Sequence, residues 1–224
     1  AWSRGLGDVY KRQIYKYPRL YINAPFAENQ SVALEDTQIH YLRNVLRKGE
    51  GDELRLFNGC DGEWIARIDV LSKKSGAAQL TEKIKDQPSK GAPIILAFSP
   101  IKKQRMDILI EKAVELGACE IYPILTNRTE NRKLNMERMQ AQIIEAAEQC
   151  ERMTLPQLHE VRSFDRFIAG WKDVPLFVAL ERCEDAKPLS AQDTSKGGAF
   201  FIGPEGGFAQ GELERSSARL RAIE

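Results

Sequence analysis

The chain has almost no net charge and no long apolar run. Its 33 lysines and arginines face 32 aspartates and glutamates, which leaves a formal charge of +1. Overall electrostatics therefore does not indicate a nucleic-acid partner, and a surface for one would have to come from local clusters of basic residues. No segment approaches the roughly 18 consecutive apolar residues of a membrane span, and the N-terminus lacks the order of a signal peptide. We expect a cytoplasmic protein.

Histidine and cysteine are also scarce. The chain has two histidines and four cysteines, and no two cysteines form a CxxC pair. This spacing predicts no metal site, and we interpret Cys60, Cys119, Cys150 and Cys183 as reduced, buried thiols of an intracellular protein. The rest is ordinary for a globular protein, with 42% hydrophobic and 29% charged residues in a length of 224 that allows one or two domains.

The first part of the chain has the pattern of a small β-rich domain. Residues 1–16 show no clear hydrophobic period, and we interpret them as an extraneous leader. Across residues 17–85, short alternating apolar segments predict strands, and one helix with Asp36 as its N-cap interrupts them. The predicted strands cover residues 20–22, 53–57 and 63–71. The pattern favours a small β-barrel.

A polar segment rich in proline and glycine, residues 86–93, predicts a domain boundary. From residue 94 to residue 224, apolar runs alternate with helical periods, which indicates an α/β domain with a parallel sheet covered on both faces. Asn135 is a good N-cap, and Gly117 should end the helix before it. The predicted strands cover residues 94–98, 120–124, 176–180 and 200–202, and the predicted helices cover residues 103–116 and 136–152.

A glycine-rich loop, Gly203-Pro204-Glu205-Gly206-Gly207, follows the last of these strands and precedes a helix expected near Gln210. Open α/β sheets bind ligands at the carboxyl ends of their strands, and glycine lets the backbone approach a ligand closely. A tight turn without a ligand explains the spacing about equally well. The loop matches neither the dinucleotide-binding nor the P-loop pattern, so a nicotinamide or ATP site is disfavoured.

Two basic clusters follow strand ends in the same domain. Lys102, Lys103 and Arg105 come after the first predicted strand, and Arg128 and Arg132 come after the next one. Such clusters are more often solvated surface, but their common edge of the sheet favours contact with phosphate groups.

The small domain has a basic group of its own, made of Arg19, Arg43, Arg47, Lys48 and Arg55. Arg43 and Arg47 are four residues apart, which predicts one shared helix face. A solvated surface and an RNA-binding surface explain this group about equally well.

These motifs occur in the order found in one known family. The matching segments are Arg19, residues 40–47 ending in Val45-Leu46-Arg47, residues 102–107, Lys112 with Glu115-Leu116-Gly117, residues 145–152 and residues 201–208. From about Tyr17 to its end, the chain resembles the bacterial 16S ribosomal RNA (uracil-N3)-methyltransferases of the SPOUT class.

The resemblance implies a PUA-like RNA-binding barrel, an α/β domain with a trefoil knot, a homodimer, S-adenosylmethionine as cofactor and 16S ribosomal RNA in the small ribosomal subunit as substrate. By position, the residues it implies for the cofactor are Leu180, Glu181, Ile202, Gly203, Pro204, Glu205, Gly206 and Gly207. In the family a further strand and an LGxRILRxETA segment follow. Because this chain stops at Glu224, we expect it to lack the last strand, the closing helix and part of the pocket.

The resemblance also aligns Arg19 with an arginine near the family's active face. A cation near the pyrimidine carbonyls would offset the negative charge that develops as N3 loses its proton, so Arg19 is the candidate catalytic residue. The alternatives are an RNA-binding module without catalysis, a SPOUT methyltransferase with a different RNA target, and a nucleotide-dependent oxidoreductase or transferase. The missing phosphate-binding motif disfavours the last of these.

Overall fold

The computed structural model describes residues 14–172, 174–180, 186–216 and 220–223, without the side chains of Lys103 and Arg215. Residues 1–13 of the predicted leader therefore lie outside the described residues. Contacts along the chain divide it into two units, Ala1–Ser89 and Lys90–Glu224. The division falls inside the segment for which the breaker residues predict a boundary.

The first unit, the small unit, contains one largely antiparallel sheet. Its five strands are β1 (Arg19–Tyr21), β2 (Ser31–Ala33), β3 (Glu53–Phe57), β4 (Glu63–Leu71) and β5 (Gly76–Lys85), in the order β1-β3-β4-β5-β2. Of the strand pairs described in this unit, only β1 with β3 is parallel. Among the described residues β1 and β2 are the two edges, so this sheet is a curled half-barrel where the sequence suggested a barrel.

The predictions for β3 and β4 are confirmed, while β2 and β5 were not predicted. In β4 the alternating Trp64, Ala66 and Ile68 are buried, as expected for one face of a strand. The pairing of β4 with β5 contains register shifts, for instance between Ile68 and Val70, and such bulges interrupt the two-residue period that predicts a strand.

The helix of the small unit, α1 (Asp36–His40), continues as one π-helical stretch at Tyr41–Val45. Its N-cap is Glu35, whose side chain forms a capping box with Gln38, so the prediction of Asp36 as N-cap is wrong by one residue. Arg47 lies beyond the helix with a φ of 54°. The predicted helix face shared by Arg43 and Arg47 is therefore wrong, because the helix ends before it reaches Arg47.

In its described part, the second unit, the α/β unit, contains seven parallel strands. They are β6 (Ile94–Phe98), β7 (Glu120–Leu125), β8 (Gln157–Leu158), β9 (Arg162–Ser163), β10 (Leu176–Ala179), β11 (Gly198–Ile202) and β12 (Leu220–Ile223). The order is β12-β10-β11-β6-β7-β8, and β9 also pairs with β7. The predicted α/β class with a parallel sheet is confirmed for this unit.

Four helices accompany this sheet within the residues that the structure describes. They are α2 (Lys103–Glu115), α3 (Met136–Gln149), α4 (Phe164–Gly170) and α5 (Gln210–Ser216), together with a 3-10 turn at Leu189–Ala191. Asn135 caps α3 as predicted, since its side chain accepts a hydrogen bond from the Arg138 N–H. Gly117 follows α2 with a φ of 92°, the left-handed conformation expected after a helix. The short α4 was not predicted.

Strand β12 corrects the expectation that no further strand follows the glycine-rich loop. It pairs in parallel with β10, with Leu176 opposite Leu220 and Ala179 opposite Ile223. The segment was overlooked because Arg221 interrupts a four-residue apolar stretch that lies at the edge of the sheet.

The cysteines correct a second expectation. Cys60 and Cys150 are exposed and Cys119 is partly buried, so the prediction of buried thiols is wrong for the first two. Cys183 lies outside the described residues. None of the described helices is long and apolar enough to cross a membrane.

Candidate functional site

The topology of the α/β unit makes the carboxyl ends of β6 and β11, which are neighbours in the sheet, a candidate ligand-binding edge. The chain leaves β6 toward β7 on one side and leaves β11 toward β12 on the other. Ligands of open α/β sheets bind where the connections of adjacent strands part in this way. The loops at this edge are therefore the first place to look for a site.

The glycine-rich loop after β11 is anchored at two points and exposed between them. Pro204 and Phe208 are buried, whereas residues 205–207 are exposed. The Phe208 ring packs edge-on against Phe201, with 5.1 Å between the ring centroids. Gly207 has a φ of 68°, and its N–H donates to the Pro204 carbonyl at 2.8 Å. The result is a tight turn that presents backbone to solvent.

Gly203 is required by packing at the start of this loop. A Cβ atom added at Gly203 would lie 2.6 Å from the ring of Phe208. That ring belongs to the apolar core of the unit and cannot swing away as the end of a flexible side chain could. Any larger residue at position 203 therefore has to displace the loop or the core.

Two further predicted cofactor residues, Ile202 and Leu180, lie at the ends of strands near this loop. Ile202, the last residue of β11, is 43% exposed. Leu180 follows β10, is partly buried against the core, and donates its N–H to the Ile223 carbonyl at 3.2 Å. The structure thus brings Leu180 and Ile202 to the ends of adjacent strands. Glu181 lies outside the described residues.

One predicted basic cluster of the α/β unit lies at the start of α2, after β6, and the other lies in the loop after β7, at the same edge of the sheet. Lys102 is the N-cap of α2, and Arg105 is exposed in its first turn. The loop before α2 is tied to the loop after β7 by Asn131, whose side-chain amide donates to the Ile101 carbonyl at 3.0 Å. Lys103 begins α2, but its side chain is not described.

Arg128 and Arg132 both lie in the loop after β7 and are exposed. The Arg128 guanidinium donates to the carbonyl of Gly206 at 2.8 Å, so it contacts the glycine-rich loop directly. Arg132 donates to the carbonyls of Thr126 at 3.2 Å and Asn127 at 3.4 Å, which fixes its position on its own loop. The structure therefore unites the basic loop and the glycine-rich loop, which the sequence left as separate motifs.

Several buried polar residues described at this edge were not predicted, and three of them hold its loops in place. Thr126, Thr129 and Glu212 are 2%, 4% and 2% exposed. The two threonine hydroxyls lie 2.9 Å apart and the Thr126 N–H donates to Thr129 Oγ1, which closes the turn after β7. The Glu212 carboxylate accepts hydrogen bonds from the backbones of both loops. Only Glu212 carried a sequence signal, as an acidic residue in the first turn of the helix expected near Gln210.

In the small unit, Arg19 is buried beside Glu63. The Arg19 Nε donates to Glu63 Oε1 at 2.7 Å, and the guanidinium carbon lies 3.8 Å from the centroid of the Phe57 ring. Arg55 and Lys85 approach the same carboxylate at 3.6 and 3.0 Å. Three cations thus surround one fully buried carboxylate. The catalytic role of Arg19 stays a prediction.

The other basic residues predicted for RNA in the small unit lie elsewhere. Arg43 lies in the π-helical stretch and is partly buried, and Arg47 is exposed just after it. Lys48 approaches Asp52 at 3.8 Å in an ion pair of which both partners are partly exposed. The structure therefore does not unite these residues with Arg19 and Arg55 in one cluster of contacts.

Comparison with known proteins indicates which reaction the chain catalyses. A family described as RNA methyltransferase domain matches residues 88–222, and one described as RNA methyltransferase PUA domain matches residues 34–81. The first match covers more than half of the 224 residues. The chain belongs to the RNA methyltransferase family. The resemblance found in the sequence is confirmed at this level, and so is the prediction of an enzyme that methylates RNA.

Individual relatives of this RNA methyltransferase agree. Ribosomal RNA small subunit methyltransferase E of Rickettsia conorii is 35% identical over 202 residues, which are 89% of this chain and 82% of the relative. The solved structure of ribosomal RNA small subunit methyltransferase E from Neisseria gonorrhoeae, bound to S-adenosylmethionine, has a TM-score of 0.81 and 25% identity, covering 93% of this chain and 88% of that one.

A structure from Legionella pneumophila, also with bound S-adenosylmethionine, has the same TM-score of 0.81 and 25% identity and covers 93% of this chain and 89% of that one.

The edge of the α/β unit fits a cofactor of this kind. It offers exposed backbone at residues 205–207, an exposed aliphatic side chain at Ile202, and a glycine at position 203 where no Cβ atom fits. Ser99, which follows β6, is 1% exposed, and its hydroxyl has no hydrogen-bond partner among the described residues. A methyltransferase cofactor with polar and apolar parts matches this mixture of groups.

Proposed function

We propose that this protein uses S-adenosylmethionine to methylate N3 of a uridine in 16S ribosomal RNA of the small ribosomal subunit, in the cytoplasm. One observation carries the proposal: a chain of the RNA methyltransferase family displays its glycine-rich loop at the carboxyl edge of a parallel sheet, joined to a basic loop by Arg128. A cofactor loop and a phosphate-binding loop at one edge are what methyl transfer to RNA requires.

The cofactor residues of the proposal are Leu180, Ile202 and the loop at residues 203–207, together with Glu181. When bound, S-adenosylmethionine supplies a methyl group on a sulfonium, which is already electrophilic. The protein therefore has to position the acceptor nitrogen and exclude water from it, and positioning accounts for most of the rate. The anchored turn between Pro204 and Phe208 suits this task because both of its ends are buried.

The RNA backbone is assigned to the basic residues of the same edge. Lys102, Arg105 and Arg132 are exposed there, while Lys103 begins α2 and Arg128 lies in the loop after β7. Each lysine or arginine that neutralises a phosphate makes RNA binding weaker in salt. A plot of the logarithm of the RNA association constant against the logarithm of salt concentration has a negative slope, and replacing Arg105 by Ala should make that slope shallower by about one. Cofactor affinity should change little.

In the small unit, Arg43, Arg47 and Lys48 are assigned to contacts with the RNA backbone. The match of residues 34–81 to a PUA domain of RNA methyltransferases supports this assignment. The triple substitution of these residues by Ala should weaken RNA binding similarly for all RNA sequences, because phosphate contacts carry no base information.

Arg19 enters the proposal on one condition. Its guanidinium is committed to Glu63 and Phe57, so it can reach a pyrimidine carbonyl only if this arrangement opens. If Arg19 stabilises developing charge, the methylation rate of the variant Arg19→Lys should fall at least a hundredfold. The rate is counted per protein molecule that can bind the cofactor. Turnover close to that of the wild type, counted per cofactor-binding molecule, would remove Arg19 from the mechanism.

The decisive test of the function is a methylation assay. Purified protein, S-adenosylmethionine and unmethylated small ribosomal subunits are incubated, and the digested 16S ribosomal RNA is analysed for methylated nucleosides by mass spectrometry. We expect 3-methyluridine at one position and none without the cofactor. Methylation at another nucleoside or in another RNA would replace the target. Cofactor binding without methylation of any RNA would contradict the enzymatic proposal.

Two further proposals rest on the resemblance found in the sequence, namely a trefoil knot at the cofactor loops and a homodimer. The likeness to a solved relative over 93% of this chain supports a shared fold. Light scattering should give twice the 25.4 kDa mass of the chain. A monomer at all concentrations tested would remove the dimer from the proposal.

A further inference from the structure

Glu212 joins two loops that are far apart in the chain. It lies in the first turn of α5, where its side chain is 2% exposed. Its Oε1 accepts a hydrogen bond from the N–H of Asn127 at 2.8 Å, and its Oε2 accepts one from the N–H of Ala209 at 2.9 Å. One carboxylate thus holds the loop after β7 and the end of the glycine-rich loop together.

The two hydrogen bonds have different consequences. The bond to Ala209 is local, because it spans three residues and satisfies a backbone N–H at the start of α5. The bond to Asn127 spans 85 residues and contributes nothing to the helix itself. Its effect is to fix the distance between two loops.

Other contacts make the connection stiff. The turn that carries Asn127 is closed by the buried hydroxyls of Thr126 and Thr129. At the exposed end of the same pair of loops, Arg128 donates to the Gly206 carbonyl. The loops are therefore tied once by an exposed guanidinium and once by a buried carboxylate, and hydrogen bonds that involve an ionised group are the stronger kind.

We propose that Glu212 is a positioning residue for S-adenosylmethionine, which sets the separation of the glycine-rich loop from the loop after β7. The inference rests on the proposed function, since it takes residues 203–207 as part of the cofactor site. Glu212 does not contact the cofactor in this account. It acts by holding the loop in its binding-competent position before the cofactor arrives, which lowers the entropic cost of binding.

Two substitutions separate this role from simple helix capping. In Glu212→Gln, the amide oxygen can accept only one of the two N–H groups, and the amide nitrogen faces the other as a second donor. In Glu212→Asp, the charge remains but the side chain is one methylene shorter. The aspartate can still reach the Ala209 N–H three residues away but not the Asn127 N–H at the same time.

The experiment is calorimetric titration of the full chain with S-adenosylmethionine, which gives both the dissociation constant and the fraction of binding-competent protein. We expect the dissociation constant to rise at least tenfold in both variants. A merely structural role would lower the competent fraction and leave the dissociation constant of the remaining molecules unchanged. The matched control is Glu214→Gln, an exposed glutamate two residues along the same helix, for which we expect a change of less than twofold.

A measurement on the wild type covers the case in which neither variant folds. Hydrogen exchange of the Asn127 and Ala209 amides should slow together when the cofactor is added, because both depend on the same carboxylate. Slowing at Ala209 alone would overturn the inference, as would an unchanged dissociation constant in folded Glu212→Asp. If the wild type does not bind S-adenosylmethionine at all, the proposed function fails instead, and the two failures are therefore distinguishable.

Discussion

Among the described residues, each unit of the protein buries one glutamate, and the two carboxylates have different surroundings. In the small unit, Glu63 is 0% exposed and is surrounded by the cationic side chains of Arg19, Arg55 and Lys85. In the α/β unit, Glu212 is 2% exposed and accepts hydrogen bonds from two backbone N–H groups. The first carboxylate compensates charge, and the second connects loops.

This difference assigns Glu63 to the structural framework of the small unit and Glu212 to the candidate site of the α/β unit. Glu63 lies on β4, Arg19 and Arg55 lie on β1 and β3, and Lys85 ends β5, so the ion pairs join four strands of one sheet. Glu212 joins loops at the edge where a ligand is expected. Loss of the first should therefore appear mainly as lost stability, whereas loss of the second should appear mainly as lost affinity.

The largest expected effect is on stability, in the variant Glu63→Gln. The substitution keeps the shape of the side chain but leaves the buried guanidiniums of Arg19 and Arg55 without their counter-charge. Breaking a buried ion pair from one side costs about 3–5 kcal/mol of unfolding free energy. Urea denaturation of the whole protein measures this loss. The control is Glu82→Gln, an exposed position on β5, for which the free energy of unfolding should change by no more than about 0.5 kcal/mol. A loss as small as the control's would mean that Glu63 is not needed for charge compensation.

The next prediction addresses the other half of the comparison. Gly203→Ala puts a methyl group 2.6 Å from the Phe208 ring, and overpacking of this kind costs about 1–3 kcal/mol. Because the displaced element is the glycine-rich loop, affinity for S-adenosylmethionine should also fall, by at least tenfold. Thermal unfolding and calorimetric titration measure the two effects.

The control for Gly203→Ala is Gly170→Ala, at the end of α4, where an added Cβ meets nothing within 4 Å. We expect it to leave both stability and affinity nearly unchanged. Wild-type affinity in Gly203→Ala would show that the loop tolerates the displacement, and the account of the site would then be wrong at this residue.

A third prediction sharpens the contrast between connecting loops and merely capping a helix. Asn135 accepts a backbone hydrogen bond at the start of α3, as Glu212 does in α5, but it connects no second loop through it. Asn135→Ala should cost about 1 kcal/mol of stability without weakening cofactor binding. Asn44→Ala, an exposed position in the small unit, serves as control. A tenfold loss of cofactor affinity in Asn135→Ala would contradict the distinction between a residue that connects loops and one that only caps a helix.

The smallest effect is expected at the rim of the Glu63 cluster. The Lys85 side chain is 33% exposed, and its ammonium lies 3.0 Å from Glu63 Oε2. A partly exposed ion pair contributes only about 0.2–1 kcal/mol, so Lys85→Met should destabilise the protein far less than Glu63→Gln. Chemical denaturation of the two variants side by side tests the ranking. Equal losses would show that the cluster behaves as one unit.

The sequence predicted those parts of the fold that depend on local periods. Strand β3 and the helix cap at Asn135 follow from apolar spacing and from one residue type at a helix start. Strand β5 was not predicted because bulges interrupt its two-residue period. The prediction that Arg43 and Arg47 share a helix face was wrong because the helix passes into a π-helical stretch and ends before Arg47. Local spacing could not foresee either irregularity.

The site was predictable as separate loops but not as an assembly. Glycines after an apolar run indicated a ligand loop, yet the bond from Asn127 to Glu212 spans 85 residues. Likewise, the burial of Arg19 against Glu63 joins residues 44 positions apart. Contacts of this kind depend on strand order, which no short motif encodes.

The central claim is that the carboxyl edge of the α/β unit binds S-adenosylmethionine between its glycine-rich loop and the loop after β7. Backbone NMR spectra recorded with increasing cofactor test it most directly. We predict the largest shifts at residues 203–208, at Leu180 and at residues 126–129, with little change at β3 and β4 of the small unit. Shifts concentrated in the small unit, or none at saturating cofactor, would contradict the account.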